Sequence, residues 1–133
     1  MFAFKRDRRK KLGIAGENAV CTLLESEGMK ILARNWRCRA GELDIVAFDN
    51  DTLVFVEVKT AGKQRNFSPA DNLSANQKKR NYNAAKVYMR SLDNCPYPGK
   101  FDLVEVFFRW NFIVKIRRTA NYLPDLPVQS SYE

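Results

Sequence analysis

Leu12, Gly16, Ala19, Val20, Leu23 and Leu24 recur at helical spacing, which predicts a helix over Leu12–Glu27 with one apolar face. Gly28 stands where a left-handed C-terminal glycine closes such a helix. Glu17 falls on the border of the stripe, beside Val20 and Leu24, where a carboxylate reads first as a solvated flank. Three strand-like runs follow, Lys30–Arg37, Glu42–Phe48 and Leu53–Lys59. Asp49-Asn50-Asp51-Thr52, dense in turn formers, joins the last two as an antiparallel hairpin. Thr60 to Leu73 reads as a long polar loop containing Gly62, Lys63, Arg65 and Pro69. Loops of that length in a small domain are functional or mobile.

A second helix begins at Ser74, where Ser74-Ala75-Asn76-Gln77 fits a capping box and Tyr82, Ala85, Met89 and Leu92 supply the apolar stripe. Beyond the Pro-containing link Cys95–Gly99, Phe101–Phe108 and Phe112–Arg118 read as a closing strand pair turned at Arg109-Trp110-Asn111. The segment from Thr119, with Pro124 and Pro127, is expected to be extended or loosely ordered. No repeat or low-complexity stretch divides the 133 residues, so a single domain spanning 1–133 is expected.

Charge sharpens this outline. Lys and Arg number 23 against 15 Asp and Glu, a net charge of +8, and there is no histidine. An imidazole base, a Ser-His or Cys-His nucleophile and a His-ligated zinc are therefore excluded. Lys5 to Lys11 holds six basic residues against Asp7. This stretch, with Lys10 and Lys11 at its end, is a solvated terminus or a phosphate-seeking arm over residues 1–11. The second helix carries Lys78, Lys79, Arg80, Lys86 and Arg90 with no acid between Ser74 and Leu92. Three of these cations sit at the end the helix dipole disfavours, which suggests an external anion; tolerated surface charge is the alternative. No apolar run approaches the ~20 residues of a membrane span, and Phe4 passes straight into charge, leaving no secretory h-region. Cys21, Cys38 and Cys95 are odd in number and widely spaced, as buried thiols of a reducing compartment would be. A cytoplasmic chain away from membranes is the expectation.

The chemistry is carried by the hairpin. A two- or four-residue loop sets Val46 opposite Phe55, Asp44 opposite Glu57 and Glu42 opposite Lys59; a three- or five-residue loop breaks this alignment. One face then carries Leu43, Ile45 and Ala47 against Val54, Val56 and Val58, all core. The other begins apolar and ends in Asp44, Glu57, Lys59 and Glu42. Opposed carboxylates with Cβ atoms roughly 4.5–5.5 Å apart repel each other. They invite a hard divalent cation, and oxygen ligands suit Mg²⁺ or Mn²⁺. Lys59, two residues beyond Glu57, points to the same side and can reach a phosphate oxygen. Asp, then Glu-x-Lys on the next strand, is a compact layout for phosphodiester hydrolysis. The competing reading is a Glu42–Lys59 ion pair with Asp44 and Glu57 solvated at a sheet end.

Gly16-Glu17, Ala33-Arg34-Asn35-Trp36-Arg37, Gly41-Glu42-Leu43-Asp44-Ile45, Leu53 through Thr60 and Gln77-Lys78 together resemble the YraN-like family. These small bacterial proteins are similar to Holliday-junction resolvases of the PD-(D/E)xK nuclease superfamily. The resemblance runs from about Gly16 to Arg118. It implies an α/β, restriction-endonuclease-like core with a mixed central sheet flanked by helices in the order α-β-β-β-α-β. It also implies a metal site of Asp44 and Glu57, Lys59 as catalytic lysine, Glu17 reaching the metal from the first helix, and Gln77 beside the site. Two departures stand out: Ala61 follows Thr60 where the family commonly has arginine, and the stretch after Tyr122 has no counterpart.

The leading expectation is a Mg²⁺- or Mn²⁺-dependent nuclease acting on DNA, with branched or structured forms in view. Lys10, Lys11, Lys63, Arg65, Lys78, Lys79 and Arg80 would contact phosphates. The alternative is a nucleic-acid-binding module on a nuclease fold without activity of its own. A protein–protein adaptor anchored by Trp36, Trp110 and Tyr122 is the third class. Cutting two strands symmetrically calls for two sites, so a homodimer is also an expectation, with no interface legible.

Overall fold

The computed structural model describes residues 2–61 and 73–129. The elements are α1 (Phe2–Ser26), β1 (Lys30–Cys38), β2 (Gly41–Asp49), β3 (Thr52–Ala61), α2 (Ala75–Ser91), β4 (Gly99–Arg109) and β5 (Phe112–Ala120). The five strands form one sheet in the order β1-β2-β3-β4-β5. Neighbours are antiparallel except β3 and β4, which run parallel. A parallel step needs a crossover, and the chain from Ala61 to Gly99, which contains α2, provides it. This is the mixed, helix-flanked α/β sheet expected from the sequence.

Two apolar layers hold it together. Val20, Cys21, Leu24 and Met29 pack with Ile45, Ala47, Val54, Val56, Val104, Val106 and Phe108 on one face. On the other, Ala84, Ala85, Tyr88 and Met89 of α2 pack on Leu43, Val46, Leu53, Phe55 and Phe101. Strands β3 and β4 are covered on both sides, which accounts for their near-continuous apolar runs. Gly28, at φ +90°, ends α1. Met29 N–H donates to Leu24 O at 3.1 Å and Gly28 N–H to Glu25 O at 3.0 Å, the bond pair of a Schellman cap.

Helix α1 begins at Phe2, ten residues before the expected start. An apolar stripe signals only the part of a helix that touches a core. The preceding Lys, Arg and Ala residues are good helix formers with no Gly or Pro among them, and Arg8 through Lys11 are exposed. The basic stretch is thus helical, with Lys10 and Lys11 on it.

The closing segment also departs from expectation. Strand β5 continues to Ala120, and Tyr122 and Leu123 pack against the α2-side core. Leu126, 3% exposed, forms an antiparallel bridge with Gly99. Tyr122, Leu123 and Leu126 thus join the core rather than trailing from it; residues 130–133 lie outside the described residues. In α2 the expected Leu92 is exposed at the C-cap, and Asn81, Ala84 and Tyr88 fill the buried stripe.

Two charges inside the sheet are paired. Arg118 binds Asp102 at 3.1 Å and reaches Glu27 at 2.7 Å, and Arg117 holds Glu105 at 3.0 Å. Asp102 and Glu105 are each 1% exposed, so these arginines are what makes their burial tolerable. No helix among the described residues is long and apolar enough to cross a membrane.

Candidate active site

The β2–β3 hairpin turns at Asn50-Asp51, with Asp49 opposite Thr52, Val46 opposite Phe55 and Ile45 opposite Val56. This is the expected register. The ladder ends at Ile45–Val56. Val58 N–H, which would face Leu43 if pairing ran on, donates instead to Asp44 Oδ2 at 2.9 Å. A side chain thus substitutes for the neighbouring strand at the point where β2 and β3 part. Leu43 accordingly departs from the expected face and packs with the α2-side core. The Glu42–Lys59 ion pair of the competing reading is not formed: Glu42 meets Arg37 at 3.4 Å and Lys59 Nζ lies 3.6 Å from Glu57 Oε1. Nor are Asp44 and Glu57 solvated, since Asp44 is half-buried and Glu57 is 7% exposed.

Helix α2 supplies the rest of Glu57's surroundings. Ser74 caps the helix through Gln77 N–H at 3.0 Å. The Gln77 side chain does not complete a capping box but donates to Glu57 Oε1 at 2.9 Å. One turn on, Asn81 Nδ2 donates to Glu57 Oε2 at 3.3 Å and to Tyr122 Oη at 3.1 Å. Residues four apart share a helix face, so one face of α2 presents two amides to one carboxylate. Gly41 lets β2 approach that helix closely: a Cβ there would lie 2.5 Å from Arg80 O. Glu42, Glu57, Asn76, Gln77, Arg80 and Asn81 line a cleft of about 240 Å³ beside the pair.

Burial and the neighbouring Asp44 charge raise the Glu57 pKa to about 8, against the opposing pull of Lys59. Burial raises Asp44 as well; the Val58 N–H works the other way, and Glu17 adds to the rise. Two carboxyls that cannot both ionise cheaply hold a proton between them or a cation in its place. Burial, and then the Glu57 charge, push the Tyr122 hydroxyl upward too.

The structure brings Asp44, Glu57, Lys59 and Gln77 together. Glu17 is near enough to act on Asp44, but its Oε1 accepts from Asn35 at 3.1 Å and lies 3.8 Å from Arg34. No group of three or more Cys, Asp or Glu among the described residues is placed to hold a metal ion. Of the expected phosphate contacts, Arg80 borders the cleft, while Lys78 and Lys79 lie on the first turns of α2 and do not line it. Lys10 and Lys11 lie on α1; Lys63 and Arg65 lie outside the described residues. Sequence reasoning missed Asn81 and Tyr122. A polar Asn one turn after Gln77, inside an apolar stripe, was the available signal; Tyr122 reaches the site only through the fold.

The model of the uncharacterised protein family UPF0102 matches residues 16–106, which include Glu17, Asp44, Glu57, Lys59, Gln77 and Asn81. A UPF0102 protein of Symbiobacterium thermophilum is 41% identical over 97 residues, covering 73% of this chain and 82% of that protein. One from Clostridium perfringens is 32% identical over 116 residues, covering 87% of this chain and 93% of its own length. In a longer relative from Oleidesulfovibrio alaskensis, 46% identical over 92 residues, the match spans 69% of this chain and 46% of that protein. Because the family model reaches from the helix bearing Glu17 to the strand beside Glu57, and relatives align along most of this chain, the protein belongs to the UPF0102, or YraN-like, family.

Proposed function

We propose that the chain is a metal-dependent nuclease that hydrolyses DNA phosphodiester bonds, with branched or structured DNA among its substrates. The observation that carries this reading is a buried Glu57, its pKa raised by burial and by the charge of half-buried Asp44 beside it, with Lys59 3.6 Å away. The donor set is oxygen only, which fits Mg²⁺ or Mn²⁺. Asp44 and Glu57 would hold that ion, with Glu17 assisting from α1. When bound, it would lower the pKa of a water and neutralise charge on the scissile phosphate.

The protein's own groups do the remaining work. Lys59, half-buried at the open end of β3, would place its ammonium against a non-bridging phosphate oxygen as negative charge grows there. Gln77 and Asn81 fix the Glu57 carboxylate, so it need not reorganise when the substrate arrives. Arg80, with Lys78, Lys79, Lys10, Lys11, Lys63 and Arg65, would supply the sequence-independent attraction for the phosphate backbone.

Purified protein with Mg²⁺ or Mn²⁺ is expected to nick DNA, and Lys59→Ala prepared in parallel is expected to lose that activity. Equal cutting by the variant would refute the assignment. One observation favours a second reading, a nucleic-acid-binding module: Glu57 already accepts from two amides, and no third carboxylate joins the pair among the described residues. That reading requires DNA binding without any cutting by wild type.

A further inference from the structure

Trp110 and Phe112, at the turn between β4 and β5, are 76% and 72% exposed. With Arg109 and Val114 they line a shallow depression of about 340 Å³. Adjoining exposed apolar side chains, unlike scattered ones, mark interaction sites. Their position is informative. Lys59 lies opposite Glu105 in the parallel β3–β4 pair, and β4 runs on past the end of β3. Trp110, five residues beyond Glu105, is therefore roughly 17 Å farther along the strand direction at ~3.4 Å per residue. That is roughly five nucleotides at the ~3.4 Å rise of a stacked strand, and fewer for an extended one. The tip projects from the same end of the sheet as Glu57 and Lys59.

The surroundings favour a polyanion. From Val106 to Pro124 the chain has Arg109, Lys115, Arg117 and Arg118 and no acid. Arg109 and Lys115 are exposed and have no ion-pair partner among the described residues. Beside the tip, Arg8, Lys11 and Asn111 share a second depression of about 250 Å³ with Asp7 and Leu12. A second copy of this basic chain seated on the tip would bring like charges together; a nucleic-acid strand would neutralise them.

We propose that the β4–β5 tip is a base-stacking platform for an unpaired nucleic-acid strand, with Trp110 and Phe112 stacking on bases and Arg109, Lys115, Arg8 and Lys11 meeting the backbone. It deepens the nuclease reading, on which it rests, by assigning a substrate that carries single-stranded DNA a few nucleotides from the cut. Stacking accepts any base because every base has a π-face.

The test uses the full chain in chelator, so that binding is read apart from cutting. Fluorescence anisotropy follows a labelled oligothymidylate and a blunt duplex of equal length. The variant combines Trp110→Asn, since asparagine tolerates the φ of +58° there, with Phe112→Thr, which keeps the strand. Single-strand affinity is expected to fall about tenfold or more, and duplex affinity to change by less than about twofold. Unchanged single-strand binding by a folded variant overturns the platform and leaves the Lys59 assignment standing. A wild-type dimer that becomes monomeric in the variant also overturns it, showing the tip to be an interface between copies. Absence of binding to either DNA at low salt overturns platform and nuclease reading together. Cutting that persists in Lys59→Ala refutes only the latter.

Discussion

Replacing Glu57 by glutamine removes the ionisation that the fold resists and leaves the shape of the side chain. In the folded chain Glu57 keeps its proton up to about 8, against an ordinary 4.5. Between those values the unfolded chain binds fewer protons than the folded one. The stability this proton contributes is therefore fully present below about pH 4.5 and is lost as pH rises through about 8. At about 1.36 kcal/mol per unit the interval sets a ceiling on the order of 5 kcal/mol. Asp44 shares the same proton, so a fall of about 2 kcal/mol or more is expected across it. The substituted amide would offer one oxygen to two amide donors, Gln77 and Asn81, a fixed cost of about 1–3 kcal/mol at every pH. The informative quantity is the slope. Urea unfolding in chelator at about pH 5 and about pH 9 should show wild type losing more stability than Glu57→Gln. Parallel losses would refute the claim that burial and Asp44 hold the Glu57 proton.

Other expectations follow from packing and pairing. Arg118→Ala leaves Asp102 buried without its cation and should cost about 3–5 kcal/mol, read as a lowered denaturation midpoint. Gly41→Ala drives a methyl into Arg80 O and should cost about 1–3 kcal/mol. Because it moves β2 relative to α2, it should also reduce nicking activity more than its stability loss explains. For wild type, DNA affinity should fall steeply with salt, with a log–log slope near −0.9 for each phosphate neutralised; Lys79→Ala should make it shallower by about one such contact.

What the sequence disclosed depended on how local the cause was. The hairpin register was legible because Asn50-Asp51 is a two-residue turn between runs of matched alternation. Ser74 and Gly28 announced a helix start and a helix end through backbone bonds made within a few residues. The parting of β2 from β3 was not legible, since it depends on Asp44 replacing a strand partner of Val58. The first turns of α1 carry no apolar stripe, so periodicity was silent there. Tyr122 and Leu126 looked like tail because their partners, Asn81, Phe101 and Gly99, are at least 21 residues away in the chain. The charged core of β4 was not legible either, since Asp102 and Glu105 are buried only because Arg118 and Arg117 arrive from β5. At the site, residue identity revealed Asp44, Glu57 and Lys59, whereas the amide clamp on Glu57 belongs to tertiary packing.

The central claim is that Asp44 and Glu57 form a divalent-cation site. Calorimetric titration of Mn²⁺ into wild type, Asp44→Asn and Glu57→Gln at neutral pH tests it most directly. Wild type should bind the ion at one site and release a proton as it does so, seen as a binding enthalpy that changes with the buffer's ionisation heat. Both variants should lose that site. A silent wild-type titration, or equal binding by all three proteins, would contradict the account.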